Sequence, residues 1–96
     1  MFADVRKAEC ASQAVEILHA AKVDMVILDL DAVDSRQVLR EAGRAAKSTP
    51  MVVLGLSWRS ETNVVEEYLR AGLDCFVAKP IDAAVLRMEL KRACDA

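Results

Sequence analysis

The sequence predicts an α/β fold in which a parallel sheet of about four strands is flanked by helices. Three short, almost uninterrupted apolar runs occupy residues 26–28, 51–54 and 75–77, and such runs are typical of strands that are covered on both faces in a parallel sheet. Segments with apolar residues at helical spacing lie between and after these runs, so strand and helix alternate. At 96 residues the chain is predicted to form a single domain over 1–96.

Each element is assigned in chain order from its local signals. A weak extended segment at about residues 3–8 is the predicted first strand, and the helical pattern of residues 12–21 follows it. A second helix is predicted over 36–46. The third ends at Gly72, because glycine readily takes the left-handed conformation that closes a helix. The last begins after Asp82, a good N-cap, and the predicted order is β-α-β-α-β-α-β-α with right-handed crossovers.

Composition and charge exclude several classes of protein. The 13 basic and 15 acidic residues are mixed along the chain and give a net charge of −2, so there is no basic stripe for nucleic acid or an anionic membrane. No apolar run approaches bilayer length, and residues 1–10 are too charged for a secretory signal. Cys10, Cys75 and Cys94 lack the spacing of a disulfide framework or a zinc site. We therefore expect a soluble, cytoplasmic protein that binds neither nucleic acid nor membrane.

Polar side chains follow the three strongest predicted strands. Ligands of open α/β sheets bind at the carboxyl ends of the strands, and Asp29, Ser57 and Lys79 stand at those ends. This trio suits phosphoryl transfer, because the carboxylate can act as the nucleophile while the ammonium and hydroxyl bind phosphoryl oxygens. Such transfer normally also needs a divalent cation, and Asp31 and Asp34 lie in the loop after the nucleophile.

Each member of the trio also has a simpler interpretation. An aspartate at the end of a strand is often only a loop residue or a helix cap, and a lysine before proline usually faces solvent. The functional hypothesis therefore depends on the three residues meeting at one edge of the sheet.

Three segments resemble the receiver domain of two-component response regulators. Residues 24–31 resemble the receiver strand that ends in the phosphoacceptor aspartate, and residues 71–80 resemble the family ending AGADDYLxKP. Residues 8–18 are similar to the stretch that joins the family's second strand and second helix. The resemblance runs from about residue 3 to the end of the chain and implies a shortened flavodoxin-like receiver fold.

The resemblance also implies a role for each site residue. Asp29 matches the phosphate acceptor, Lys79 the lysine that contacts the phosphoryl group, and Phe76 the aromatic switch position. The cofactor implied is Mg²⁺, bound by Asp29 and by the backbone carbonyl of Asp31. The loop after Asp29 lacks the proline and glycine that are usual in the family, so this part of the site has diverged.

Two positions compete for the switch hydroxyl of the family. Counting back from Lys79 selects Ser57, whereas counting forward from Pro50 selects Gly55. The sequence alone leaves both open.

The resemblance implies that this sequence lacks the family's first strand, with its paired acidic residues that hold Mg²⁺, and the family's first helix. In the strand order 2-1-3-4-5, that missing strand would lie between the first two strands of this chain. Three arrangements follow: those two strands pair directly, two chains complement each other as a homodimer, or the sequence is a fragment. An unpaired strand edge lined by Val26, Ile27 and Leu28 would tend to pair with another chain, so we favour the dimer.

The function that the resemblance implies is phosphorelay signalling. Asp29 would accept a phosphoryl group from a sensor histidine kinase or phosphotransfer protein, and the response would pass to a downstream protein through about residues 62–93. The alternative is a pseudo-receiver, an interaction or dimerisation module in which Asp29 and Lys79 form a structural pair without chemistry. A stand-alone metabolic enzyme has little support, because no Gly-rich phosphate loop is present and His19, the single histidine, is expected at a helix surface.

Overall fold

Helix and strand alternate throughout residues 6–95, the part of the chain that this computed structural model describes. The elements are α1 (Ala11–Ala20), β1 (Met25–Asp29), α2 (Ser35–Ser48), β2 (Val52–Ser57), α3 (Thr62–Arg70), β3 (Cys75–Ala78) and α4 (Ala83–Asp95). The predicted α/β class is therefore confirmed.

The sheet of the described residues has three parallel strands in the order β1-β2-β3, rather than the four predicted. Leu28 of β1 stands opposite Gly55 of β2, which stands opposite Phe76 of β3. Of the predicted first strand, residues 3–5 lie outside the described residues, and residues 6–8 form no strand. The signal for that prediction was weak, because the stretch is short and charged residues interrupt its apolar ones.

The central strand β2 is covered on both faces, as its continuous apolar run predicts. Val53 and Leu54 are both fully buried, although successive side chains of a strand point to opposite faces. Val53 belongs to the main core cluster, which also contains Val38, Leu39 and Ala42 of α2. This spacing places one face of α2 against the sheet.

The outer helices are fixed by packing and by their ends. Helix α1 packs against α2, and α4 packs against β3. Gly72 follows α3 with φ +122°, as the prediction of a left-handed helix end requires. The Asp82 carboxylate accepts hydrogen bonds from the backbone N–H of Ala84 (2.8 Å) and Val85 (3.3 Å), so the predicted N-cap of α4 is confirmed.

Strand β1 is less well covered than β2. Leu28 is buried, but Ile27, which stands opposite Leu54 in the register, is 52% exposed. Within residues 6–95, β1 pairs on one side only, with β2. In the part of the chain that the structure describes, the sheet therefore has an unpaired edge at β1 with the apolar side chain of Ile27 beside it. None of the helices among these residues is long and apolar enough to cross a membrane.

Candidate functional site

The carboxyl ends of the three strands meet at one edge of the sheet and bring Asp29, Ser57 and Lys79 together. Asp29 is the last residue of β1 and Ser57 is the last residue of β2. Lys79 follows β3, and its backbone N–H donates to the carbonyl oxygen of Ser57 at 2.8 Å. Because parallel strands of similar length end at the same edge, these residues from distant parts of the chain become neighbours.

The carboxylate of Asp29 lies at the rim of this edge and is directly paired with Lys79. Its Oδ1 accepts a hydrogen bond from Lys79 Nζ at 2.8 Å and another from the backbone N–H of Asp31 at 3.0 Å. The side chain is 54% exposed. A carboxylate that is held in place yet open to solvent can meet a reagent from outside the protein.

The ammonium group of Lys79 lies between two carboxylates. Its Nζ is 2.8 Å from Asp29 Oδ1 and 2.9 Å from Asp31 Oδ2, and the side chain is 16% exposed. Hydrogen bonding to Asp29, and then to Asp31, raises the pKa of Lys79 above its ordinary value. Lys79 is therefore a fixed positive charge at the rim.

The side chain of Asp31 is the functional group that sequence reasoning missed. Its Oδ1 accepts from Ser57 Oγ at 2.7 Å, and its Oδ2 accepts from the backbone N–H of Trp58 at 3.0 Å as well as from Lys79. Hydrogen bonds from Lys79 and then from Ser57 lower the pKa of Asp31 from 3.8 to about 2. The carboxylate is thus ionised and fully engaged.

Asp31 reaches the rim because the strand pairing continues past Asp29. Leu30 is buried, and its N–H donates to the Leu56 carbonyl oxygen at 2.8 Å, which extends the strand pairing by one residue. Side chains two residues apart on a strand share a face. Asp29 and Asp31, on either side of Leu30, therefore reach the same edge.

The geometry also bears on the two positions considered for the switch hydroxyl. Ser57 is completely buried, and its Oγ donates to Asp31 while it accepts from the N–H of Arg59 at 2.9 Å. Gly55 lies two residues earlier, inside β2, where it stands opposite Leu28 and Phe76. Of the two, Ser57 is the residue that brings a hydroxyl to the rim.

Two other predicted residues lie away from these contacts. Phe76 is inside β3, partly buried and packed against the hydrophobic core. Asp34 stands at the start of α2 with φ 64°, exposed, and its side chain makes no capping hydrogen bond. Within the described residues, Asp34 is therefore not part of the hydrogen-bonded group at the rim.

The oxygen donors at the rim are of the type that Mg²⁺ prefers. Mg²⁺ in proteins takes one or two carboxylates and keeps several water ligands, and Asp29 with the backbone carbonyl of Asp31 would supply two oxygens of that kind. Within residues 6–95, no group of three or more His, Cys, Asp or Glu side chains is arranged to hold a metal. The residues fit Mg²⁺ in chemical type but cover only part of its coordination shell.

Comparison with known proteins identifies the family. The family model for the response regulator receiver domain matches residues 1–91. A cyclic di-GMP phosphodiesterase from Thermotoga maritima is 28% identical over 90 residues, which are 94% of this chain and 24% of that protein. The chain thus spans about a quarter of the length of this curated relative.

Solved receiver structures share the fold. A response regulator protein from Burkholderia pseudomallei, with a phosphorylated aspartic acid, calcium ion and citrate, matches with TM-score 0.75 and 19% identity over 96% of this chain and 55% of its own. The receiver domain of the sensor histidine kinase PA1611 from Pseudomonas aeruginosa PAO1, with a magnesium ion in its active site cleft, matches with TM-score 0.68 and 23% identity over 90% of this chain and 72% of its own.

The family match covers nearly the whole sequence, and the fold agrees with it. Receiver domains act in phosphorelay signalling, interact with histidine kinases and downstream effectors, and bind Mg²⁺ in their active sites. The resemblance that the sequence suggested is therefore confirmed: this chain belongs to the family of response regulator receiver domains.

Proposed function

We propose that this receiver domain accepts a phosphoryl group on Asp29 from a sensor histidine kinase or a phosphotransfer protein. The observation that carries this proposal is the 2.8 Å contact between Lys79 Nζ and Asp29 Oδ1 at an open rim. The carboxylate is 54% exposed, so the phosphohistidine of another protein can reach it. The neighbouring ammonium lies where negative charge would accumulate during transfer.

The chemistry is an in-line displacement at phosphorus. A carboxylate oxygen of Asp29 forms the new O–P bond while the P–N bond to the donor histidine breaks, and the imidazole nitrogen keeps the electron pair of that bond and takes a proton from solvent. Within the described residues, the hydrogen bonds and ion pair of Asp29 are all made through Oδ1, so in this proposal the attacking oxygen is Oδ2. Ser57 and Lys79 then donate to the oxygens of the transferred group.

Mg²⁺ is the cofactor of this proposal, bound by the Asp29 carboxylate and the Asp31 backbone carbonyl. When bound, it neutralises charge between the acceptor and the phosphoryl oxygens. The Pseudomonas receiver with magnesium in its active site cleft supports the choice of metal. The Burkholderia response regulator with a phosphorylated aspartic acid supports the choice of nucleophile.

The partners of this receiver would bind at two surfaces. A downstream protein would bind at about residues 62–93, the region of α3, β3 and α4, where four large apolar side chains are exposed: Leu69, Ile81, Val85 and Met88. A second copy of the chain would pair along the open edge of β1, beside the exposed Ile27. Such a signalling domain would work in the cytoplasm.

A pseudo-receiver is the second candidate, and one observation favours it. Lys79 is already paired with both Asp29 and Asp31, and Ser57 is satisfied by Asp31 and Arg59. A group of charges that neutralises itself can hold three chain segments together without accepting a phosphoryl group. In this case Asp29 and Lys79 would be a structural pair in an interaction module.

Phosphorylation by a small donor separates these two candidates. The protein is incubated with acetyl phosphate and Mg²⁺, and its intact mass is followed in wild type, Asp29→Asn and Asp34→Asn. Asp34 is the matched control, because it lies in the same loop and asparagine tolerates its positive φ. We expect wild type and Asp34→Asn to gain one hydroxylamine-sensitive phosphoryl group and Asp29→Asn to gain none. A folded wild-type protein that gains none would favour the pseudo-receiver.

A further inference from the structure

Three hydrogen-bond donors from two different parts of the sheet converge on the carboxylate of Asp31. They are the hydroxyl of Ser57 (2.7 Å), the backbone N–H of Trp58 (3.0 Å) and the ammonium of Lys79 (2.9 Å). Ser57 and Trp58 are at the end of β2, whereas Lys79 follows β3. Both carboxylate oxygens are engaged, so the donors form a small anion site whose occupant belongs to the chain itself.

This anion site lies beside the proposed phosphoacceptor. Asp31 donates its backbone N–H to Asp29 Oδ1, and the two carboxylates contact the same Lys79 ammonium at 2.8 and 2.9 Å. A phosphoryl group on Asp29 would therefore arrive next to Ser57, Trp58 and Lys79. A hydroxyl, a backbone N–H and an ammonium are the groups with which proteins bind phosphoryl oxygens.

The Asp31 carboxylate and a phosphoryl group cannot both accept the single hydrogen of the Ser57 hydroxyl or of the Trp58 N–H, whereas the Lys79 ammonium has three hydrogens to donate. Each donor hydrogen that Asp31 accepts is unavailable to a phosphoryl oxygen, and two adjacent anions repel each other. The Asp31 side chain must therefore leave Ser57 and Trp58 before these two donors can bind the transferred group. The side chain is 28% exposed, so part of it already faces the solvent into which it would turn.

We propose that Asp31 is an internal substitute for the phosphoryl group, whose carboxylate occupies the donors of Ser57, Trp58 and Lys79 until a phosphoryl group on Asp29 displaces it. The inference rests on the proposed function for its biological meaning, but the occupancy of the donors is a separate property. In the absence of phosphate, Ser57 is already held toward the rim. The position of Ser57 then differs less between the phosphorylated and free forms than it would in a receiver whose anion site is empty before phosphorylation.

The competing explanation is that Asp31 only braces the loop after β1. If Asp31 only stabilises this loop, removing its carboxylate should lower the stability of the protein without raising its affinity for anions. If Asp31 instead competes with anions as an internal substitute for the phosphoryl group, that is, as an internal competitor, anions should bind more tightly once the carboxylate is removed. Binding of free anions therefore distinguishes the two roles.

The test uses two probes that report on the donors. Inorganic phosphate is titrated into wild type, Asp31→Ala, Asp31→Asn and the control Asp34→Asn, with the backbone amide of Trp58 followed by NMR. Beryllofluoride with Mg²⁺ is titrated into the same proteins, with fluorescence of Trp58, the single tryptophan, as the signal. Thermal unfolding of each variant shows that it is folded.

We expect Asp31→Ala to bind both probes at least about tenfold more tightly than wild type, as for the loss of one charged competitor. Asp31→Asn keeps an acceptor oxygen without the charge, so its affinities should fall between the two, and Asp34→Asn should match wild type. If folded Asp31→Ala and Asp31→Asn bind both probes no better than wild type, the proposal is overturned. If phosphate affinity rises but no variant forms an acyl phosphate, the internal competitor stands and the phosphoacceptor proposal fails.

Discussion

Lys79 Nζ lies 2.8 Å from Asp29 Oδ1 and joins two residues that are 50 positions apart in the chain. The same ammonium lies 2.9 Å from Asp31. Removing it would leave two neighbouring carboxylates that repel each other. Lys79 therefore both holds the ends of β1 and β3 together and supplies the positive charge of the site.

Lys79→Met should slow phosphorylation of Asp29 by acetyl phosphate on the order of a hundredfold, the usual effect of losing one group that stabilises developing negative charge. The melting temperature should also fall, because Asp29 and Asp31 lose their shared counter-ion. The control is Lys91→Met, since Lys91 is an exposed lysine of α4. Equal phosphorylation rates in the two variants would mean that Lys79 has no part in the transfer.

The depressed pKa of Asp31 predicts a specific loss of stability in acid. Its folded-state pKa is about 2, against an ordinary value of 3.8, so its contribution is fully present above 3.8 and is lost as the pH falls toward about 2. Urea midpoints of wild type and Asp31→Asn should therefore differ most near neutral pH and converge in this window. If the urea midpoints of the two proteins differ by the same amount down to the lowest pH, the conclusion that the Asp31 carboxylate is ionised and hydrogen-bonded in the folded state is contradicted.

Gly55 is predicted to be intolerant of a side chain although it lies outside the rim. A Cβ at this position would stand 2.6 Å from Leu30 Cδ1 and 2.8 Å from Leu73 Cδ1, and both leucines are buried. Gly55→Ala should lower the free energy of unfolding by about 1–3 kcal/mol, as for other overpacked cores.

The matched control for that change is Gly43→Ala in α2. Its Cβ would meet nothing closer than the Ala71 carbonyl oxygen at 3.4 Å, and alanine favours a helix over glycine by up to about 1 kcal/mol. Urea unfolding should show Gly43→Ala to be as stable as wild type or more stable. A Gly55→Ala protein of equal stability would contradict the close packing of Leu30 and Leu73.

The edge of β1 that is unpaired within residues 6–95 predicts self-association. Sedimentation should show a concentration-dependent dimer, and Ile27→Lys should weaken it, because a charge on an edge strand opposes pairing with another chain. Val33→Lys is the control, since Val33 is 87% exposed in the loop after β1. A wild-type protein that is monomeric at every concentration, or a dimer that Ile27→Lys leaves unchanged, would exclude this edge as the interface.

Much of the fold followed from the sequence because its signals were local. Continuous apolar runs located β1, β2 and β3, and Gly72 and Asp82 marked helix ends through backbone and capping preferences that need no tertiary context. The meeting of Asp29 with Lys79 was also predictable, because parallel strands end at one edge of a sheet. The additional strand predicted at about residues 3–8 rested on a weak extended pattern, and half of it lies outside the described residues.

The role of the Asp31 side chain could not be predicted in the same way. Its partners come from β2 and from the residue after β3, so its contacts depend on how the loop after β1 turns against two distant segments. The alternation of side chains along a strand places Asp31 on the same face as Asp29. It does not show which hydrogen-bond donors the Asp31 carboxylate would meet. Counts from Pro50 and from Lys79 disagreed on the switch position. The strand register was needed to show that Ser57 lies at the end of β2 and Gly55 inside it.

The measurement that best tests the proposed phosphoacceptor is identification of the modified residue. The protein is treated with acetyl phosphate and Mg²⁺ and then with borohydride, which reduces an aspartyl phosphate to homoserine, and peptide mass spectrometry locates the change. We predict homoserine at position 29 in wild type and in Asp34→Asn, and none in Asp29→Asn. An unmodified but folded wild-type protein, or homoserine at Asp31 in place of Asp29, would contradict the assignment of Asp29 as the acceptor.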